Sequence, residues 1–189
     1  MNNLEEYARE NNVPIMLKDG LNFLLGYIKT NNIKTILEIG TAIGYSSINM
    51  AKVNNDIKIT SIELKEEMYN EAIKNIKEVN LDNQIEVILG NALEIDLNKK
   101  YDLIFIDAAK AQYIKFFEKF KYNLNQKGVI ICDNLLFHGL VAKKDEIKSR
   151  NLKQLVTKID NFVTFLKTNQ EFETTFYQIG DGISISVRR

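Results

Sequence analysis

Short apolar runs that read as strands alternate along this chain with longer runs of helical period, and the connections between them are brief. Consecutive strands separated by a helix cannot pair as hairpins, so the pattern calls for a parallel sheet covered by helices on both faces. Helical spacing covers Leu4 to Asn11, closed before Pro14, and Met16 to Thr30, with Leu17, Leu21, Leu24, Leu25 and Ile28 on one face. A first strand is predicted at Thr35 to Ile39, a helix at Tyr45 to Val53, a second strand at Ile57 to Glu63 and a helix at Lys65 to Val79. The third and fourth strands fall at Ile85 to Leu89 and Tyr101 to Asp107, followed by a helix over Gln112 to Tyr122 and a fifth strand over Val129 to Asp133. A helix from Leu152 to Leu166 precedes Phe172 to Ile179 and Ile183 to Val187, which read as a terminal antiparallel hairpin around Gly180-Asp181-Gly182. The expectation is a Rossmann-like α/β domain spanning 1–189, with a seven-stranded, mostly parallel sheet and ligands at the carboxyl ends of its strands.

Composition narrows the function classes. The 25 basic and 25 acidic residues cancel, so no global field draws the chain to nucleic acid or a membrane, and any polyanion site must be local. The strongest local excess of positive charge runs from Val141 to Lys158, where Lys143, Lys144, Lys148, Arg150, Lys153 and Lys158 outnumber Asp145 and Glu146. No apolar run reaches the ~20 residues that span a bilayer, and the first residues lack the basic start and apolar core of a signal peptide. A cytoplasmic protein with no membrane partner is expected. The single cysteine, Cys132, sits inside an apolar strand run and reads as a small buried thiol.

Chemistry concentrates where strands end. The runs Tyr101-Asp102-Leu103-Ile104-Phe105-Ile106-Asp107 and Val129-Ile130-Ile131-Cys132-Asp133-Asn134 each close on an acid. If they lie parallel and side by side, Asp107, Asp133 and Asn134 converge as three oxygen donors, with Lys110 just beyond, a pattern suited to a hard cation with a base beside it. The connection Glu38-Ile39-Gly40-Thr41-Ala42-Ile43-Gly44-Tyr45-Ser46 has two glycines where a dinucleotide site wants three. Glu38 would repel a pyrophosphate but suits the cationic methionine end of S-adenosylmethionine, and Glu63, at the end of the second strand, is placed to accept ribose hydroxyls. Blander roles exist: the glycines could form a tight turn, and Glu63 could cap the helix that starts near Lys65. A nicotinamide oxidoreductase is disfavoured by Glu38 and the missing glycine.

Ile36 to Ser46, Phe105-Ile106-Asp107-Ala108-Ala109-Lys110 and Asp133-Asn134 resemble the metal-dependent O-methyltransferases related to catechol and caffeoyl-CoA methyltransferases. Val13-Pro14-Ile15-Met16, Asp133 to Ala142, Leu155 to Asp160 and Gly180-Asp181-Gly182 look like the bacterial tRNA 5-hydroxyuridine methyltransferase branch. The resemblance implies a class I methyltransferase fold, a homodimer, Mg²⁺ or a similar ion on Asp107, Asp133 and Asn134, and Lys110 as the catalytic lysine with Asp107 beside it. It places cofactor contacts on Met16, Glu38, Gly40, Ser46, Glu63, Ala92 and Asp107. Two departures stand out: Gly90-Asn91-Ala92 has an amide where relatives commonly carry an aspartate, and the chain begins close to its first helix.

The substrate implied is a pair of adjacent oxygens able to chelate the cation. The resemblance favours 5-hydroxyuridine at the tRNA wobble position, methylated to 5-methoxyuridine; the alternative is a small catechol or a hydroxycinnamoyl-CoA. An anticodon loop offers a single-stranded base, and Lys143, Lys144, Lys148, Arg150 and Lys153 are candidate phosphate contacts. A fold-only RNA-binding protein is opposed by the intact Asp107, Lys110, Asp133 and Asn134. His138, the only histidine, is read as a surface-loop residue following the ligand pair.

Overall fold

The computed structural model describes residues 4–136, 139–140 and 146–189. One seven-stranded sheet organises them, in the order β3-β2-β1-β4-β5-β7-β6. Its strands are β1 Thr35–Ile39, β2 Lys58–Glu63, β3 Ile85–Leu89, β4 Tyr101–Ile106, β5 Leu124–Cys132, β6 Phe172–Tyr177 and β7 Ile183–Arg188. β1 to β5 pair in parallel, while β7 runs antiparallel to both β5 and β6. The helices are α1 Leu4–Glu10, α2 Lys18–Thr30, α3 Tyr45–Ala51, α4 Glu66–Glu78, α5 Tyr113–Phe120 and α6 Arg150–Thr168.

The two-residue period of the strands sorts their side chains onto two faces. Leu103, Phe105, Val129 and Ile131 point to one, where α2, α3 and α4 contribute Leu24, Ile28, Ile48, Met50, Ala72 and Ile76. Ile104, Ile106, Ile130 and Cys132 point to the other, against Tyr113, Phe116, Phe117 and Phe120 of α5 and Phe162 and Leu166 of α6. Central strands buried on both faces are near-continuously apolar for this reason, and their sequences carry no polar alternation. Phe117 lies edge-on to Phe162, Phe165 and Phe172, which locks α5, α6 and β6 together.

The predicted elements are all present, with shifted edges. The fifth strand starts at Leu124, five residues before the apolar run, because Tyr101 pairs with Leu124 and then Leu103 with Val129. The intervening polar residues form an irregularity whose tight approach needs Gly128: a Cβ there would lie 2.9 Å from the Tyr101 carbonyl. The helix expected from Met16 begins at Lys18, with Leu17 extended at its N-cap. The one expected over Gln112 to Tyr122 is α5 flanked by 3-10 turns at Lys110–Gln112 and Lys121–Asn123. β6 stops at Tyr177, short of Ile179.

At the opposite end of the sheet, Asp102 ties three strands. Its carboxylate accepts from the backbone of Lys34 and Thr35 and from the Asn125 amide. Burial alone would raise its pKa, but these bonds win and hold it below the ordinary carboxylate value.

Candidate active site

The order of strands reverses between β1 and β4, the switch point at whose carboxyl ends open α/β sheets bind their ligands. Backbone bonds continue past the last strand residues and fix each loop to its neighbour. Gly40 N–H donates to the Ile62 carbonyl at 2.9 Å, Asp107 N–H to Ile39 at 3.0 Å, Asp133 N–H to Ile106 at 3.3 Å, and Gly90 N–H to Glu63 at 2.8 Å. The functional loops are thus pinned where they leave the sheet.

Gly40 is needed on two counts. Its φ is +100°, and a Cβ would stand 2.1 Å from the Asp107 carbonyl oxygen. Ala42 and Gly44 also take positive φ, and Asn75 from α4 donates to the Ile43 carbonyl at 3.0 Å, bracing the turn from outside. Glu38 is fully enclosed. Its carboxylate accepts from Ser46 at 2.5 Å, from Ser61 at 2.5 Å and from Ser47. Burial pushes its pKa up to about 7 against those three bonds, with the Asp107 charge adding to the rise. Enclosed in this way, Glu38 meets the strand-end loops through Ser46 and Ser47 rather than through open contact.

Glu63 has both of the roles weighed from the sequence within reach. Its Oε1 accepts from Lys65 N–H at 2.9 Å, at the N-cap of α4, and its Oε2 from Ala42 N–H at 2.8 Å. A carboxylate has about four acceptor directions, so lone pairs remain for a ligand. Asn91 closes its own turn: its Oδ1 accepts from Leu93 N–H and its amide donates to Glu94, which places the adjoining Ala92 in a buried corner. Met16 is buried in the core with its Cε near Gly20, on the α2 side of the sheet.

The β4–β5 register, Ile106 beside Cys132, brings the two acid-ended strands level, so Asp107 and Asp133 leave the sheet as neighbours. Lys110, on the 3-10 turn, pairs with Asp107 at 3.1 Å. Asp133 is only 1% exposed, and its Oδ1 has no hydrogen-bond partner. Its pKa is pushed up to about 7, first by burial and then by the charge of Asp107. Asn134 follows with φ +62° and donates its amide to Asp133 Oδ2 at 3.3 Å, leaving its own side-chain oxygen as an acceptor. Among the described residues no three His, Cys, Asp or Glu side chains cluster as a metal site; the donor set here is two carboxylates and an amide. A buried carboxylate with one oxygen unpartnered, beside a second carboxylate, fits a hard cation.

Of the other predicted residues, Lys148, Arg150 and Lys153 are exposed, and Arg150, Lys153 and Lys158 line an open groove at the start of α6 with Gln154 and Thr157. Lys143, Lys144 and His138 lie outside the described residues. No described helix is long and apolar enough to cross a membrane. Sequence reasoning missed Ser47, Ser61 and Asn75 as supports of the glycine turn, and Tyr113 beneath the acid pair. The serine pair after Gly44 was a legible signal; the others depend on distant strands and helices.

Over residues 1–189 the chain matches the family model described as O-methyltransferase. A caffeoyl-CoA O-methyltransferase of Medicago sativa is 30% identical over 88% of this chain and 71% of its own length. A Staphylococcus aureus crystal structure, provisionally named a caffeoyl-CoA O-methyltransferase, superposes with a TM-score of 0.94 at 43% identity, covering 98% of this chain and 90% of that one. An O-methyltransferase of Bacillus cereus, solved with S-adenosylhomocysteine, gives a TM-score of 0.81 at 26% identity over 97% and 88% of the two chains. The chain belongs to the O-methyltransferase family and is an S-adenosylmethionine-dependent enzyme of its caffeoyl-CoA O-methyltransferase-like group.

Proposed function

We propose that this enzyme methylates one oxygen of an adjacent oxygen pair, in a site where Asp107, Asp133 and Asn134 hold a hard divalent cation such as Mg²⁺. The observation that carries the reading is Asp133: a carboxylate 1% exposed, with one oxygen lacking any hydrogen-bond partner, beside Asp107. A divalent ion bound there supplies positive charge that lowers the pKa of a substrate hydroxyl. Lys110, held at the site as an ammonium by its ion pair with Asp107, stabilises the substrate oxyanion, and takes the hydroxyl's proton only where it has first given up its own. Methyl transfer needs the acceptor oxygen held in line with the sulfonium methyl, so the remaining residues orient the donor. Glu63 accepts the ribose hydroxyls, Ser46 and Gly40 line the methionine end with Glu38 behind them, Ala92 meets the adenine, and Met16 lies near the methyl group.

Relatives named caffeoyl-CoA O-methyltransferases support a hydroxycinnamoyl thioester or another catechol as the acceptor. A second reading, 5-hydroxyuridine at the tRNA wobble position, is favoured by the resemblance of 133–142 and 180–182 to that branch and by the cationic groove at Arg150, Lys153 and Lys158. Both acceptors present two neighbouring oxygens. The deciding experiment incubates the enzyme with methyl-labelled S-adenosylmethionine and Mg²⁺, offering caffeoyl-CoA, catechol and hypomodified tRNA in separate reactions. Transfer to one acceptor class alone assigns it, and turnover that persists in EDTA refutes the cation.

A further inference from the structure

The cation reading leaves open what aims Asp133 and Asn134, and we infer that Tyr113 is their positioning residue. Resting on that reading, the inference concerns the one peptide unit that joins the two side chains. Tyr113 opens α5, is 1% exposed, and donates its hydroxyl to the Asp133 carbonyl oxygen at 3.2 Å. That carbonyl belongs to the peptide between Asp133 and Asn134. Because a peptide is planar and includes both flanking Cα atoms, anchoring its oxygen fixes ψ of Asp133 and φ of Asn134 together, and so the direction in which each side chain leaves.

Asn134 sits at φ +62°, a left-handed conformation that asparagine adopts more readily than other L residues, and the bonds around it select it. The ends of the loop are held elsewhere: Asp133 N–H on Ile106, and Leu135 and Leu136 N–H on the Gly182 and Asp181 carbonyls at 3.0 and 2.8 Å. Tyr113 holds the middle. Its ring cannot swing away, because Phe162 of α6 packs edge-on at 5.2 Å and 83°. The same ring lies 5.9 Å from Lys110 Nζ, and Asp107, Lys110 and Tyr113 recur at a spacing of three, so a single seven-residue segment carries the first acid, the lysine and the brace of the second acid.

Tyr113→Phe removes the hydroxyl and keeps the ring. Partners behind metal ligands typically matter by ~10-fold or more in affinity, so the Mn²⁺ dissociation constant, read by electron paramagnetic resonance or calorimetry, should rise about 10-fold. The Mg²⁺ activation constant should rise in parallel, S-adenosylmethionine affinity should stay within about 2-fold, and saturating Mg²⁺ should restore most of kcat. Phe162→Leu loosens the packing but leaves the hydroxyl, and should lower the melting temperature with a smaller loss of Mn²⁺ affinity than Tyr113→Phe gives. Wild-type Mn²⁺ affinity in Tyr113→Phe overturns the inference, as does an equal weakening of Mn²⁺ and S-adenosylmethionine. A wild-type enzyme that binds no Mn²⁺ overturns the cation reading itself, and this inference with it.

Discussion

Replacing Asp133 by Asn should make the cation-free protein more stable at alkaline pH, although it removes a residue proposed as essential. The carboxyl is lifted from 3.8 to about 7 in the folded chain, by burial first and by Asp107 second. A folded pKa above the unfolded one means that stability is complete below about pH 4 and is lost as pH climbs through about 7. A gap of about three pH units corresponds to roughly 4 kcal/mol when both states are ionised, at ~1.4 kcal/mol per unit. With the side chain 1% exposed, solvent screening removes little of that. The amide of Asn must still be buried at the same place, which offsets roughly half and leaves about 2 kcal/mol. In a chain of this size each kcal/mol moves Tm by ~2–4 °C, so Asp133→Asn should melt about 4–8 °C above wild type at pH 8 in EDTA. At pH 4, where the wild-type carboxyl is neutral in the folded chain and only the cost of burying the amide remains, the variant should instead melt about 4–8 °C below wild type. Saturating Mg²⁺ should raise wild type and leave the variant unmoved, because cation binding requires the ionised carboxylate. A variant that melts at or below wild type at pH 8 in chelator would refute the reasoning, since burial would then not outweigh the groups that stabilise the Asp133 anion.

Lys110→Met should lower kcat by ~10²–10⁴ with S-adenosylmethionine affinity kept, measured by single-turnover methyl transfer and calorimetry. Gly40→Ala forces a Cβ to within 2.1 Å of the Asp107 carbonyl at φ +100°, so soluble yield and Tm should collapse together, and a normal melt would sink the close-approach argument. Since Glu38 titrates near 7, S-adenosylmethionine binding by wild type should weaken as pH falls through that value, and Glu38→Gln should flatten the profile. Asp102→Ala should cost ~2–4 kcal/mol at pH 7, because its bonds from Lys34, Thr35 and Asn125 are lost at the foot of three strands; the difference from wild type should shrink in acid, as expected of a carboxylate with a lowered pKa.

Most elements were legible because each rests on short-range pattern: continuous apolar runs for β1, β4 and the latter half of β5, and helical period for α2, α4 and α6. Edges failed where a neighbour overrode the local signal, as at Leu124, whose pairing with Tyr101 extends β5 across polar residues that read as a loop. The candidate site divides in the same way. Asp107, Lys110, Asp133 and Asn134 could be named from strand-end acids and spacing, and Glu38 and Glu63 from their distance to Gly40 and Gly44.

What the amino-acid order determines alone is therefore the inventory: strands that close on acids, a turn with two glycines, and a lysine three residues beyond Asp107. Which of these meet was decided by the tertiary structure. The crossover that places β1 beside β4, and the register that sets Ile106 against Cys132, make two acids 26 residues apart into neighbours. They also put Tyr113 under the Asp133 carbonyl and three serines around Glu38. Local sequence specifies dihedral preference and apolar period over a few residues, but strand order follows from burying both faces of the whole sheet at once. Contacts made across that sheet have no signature in either segment alone.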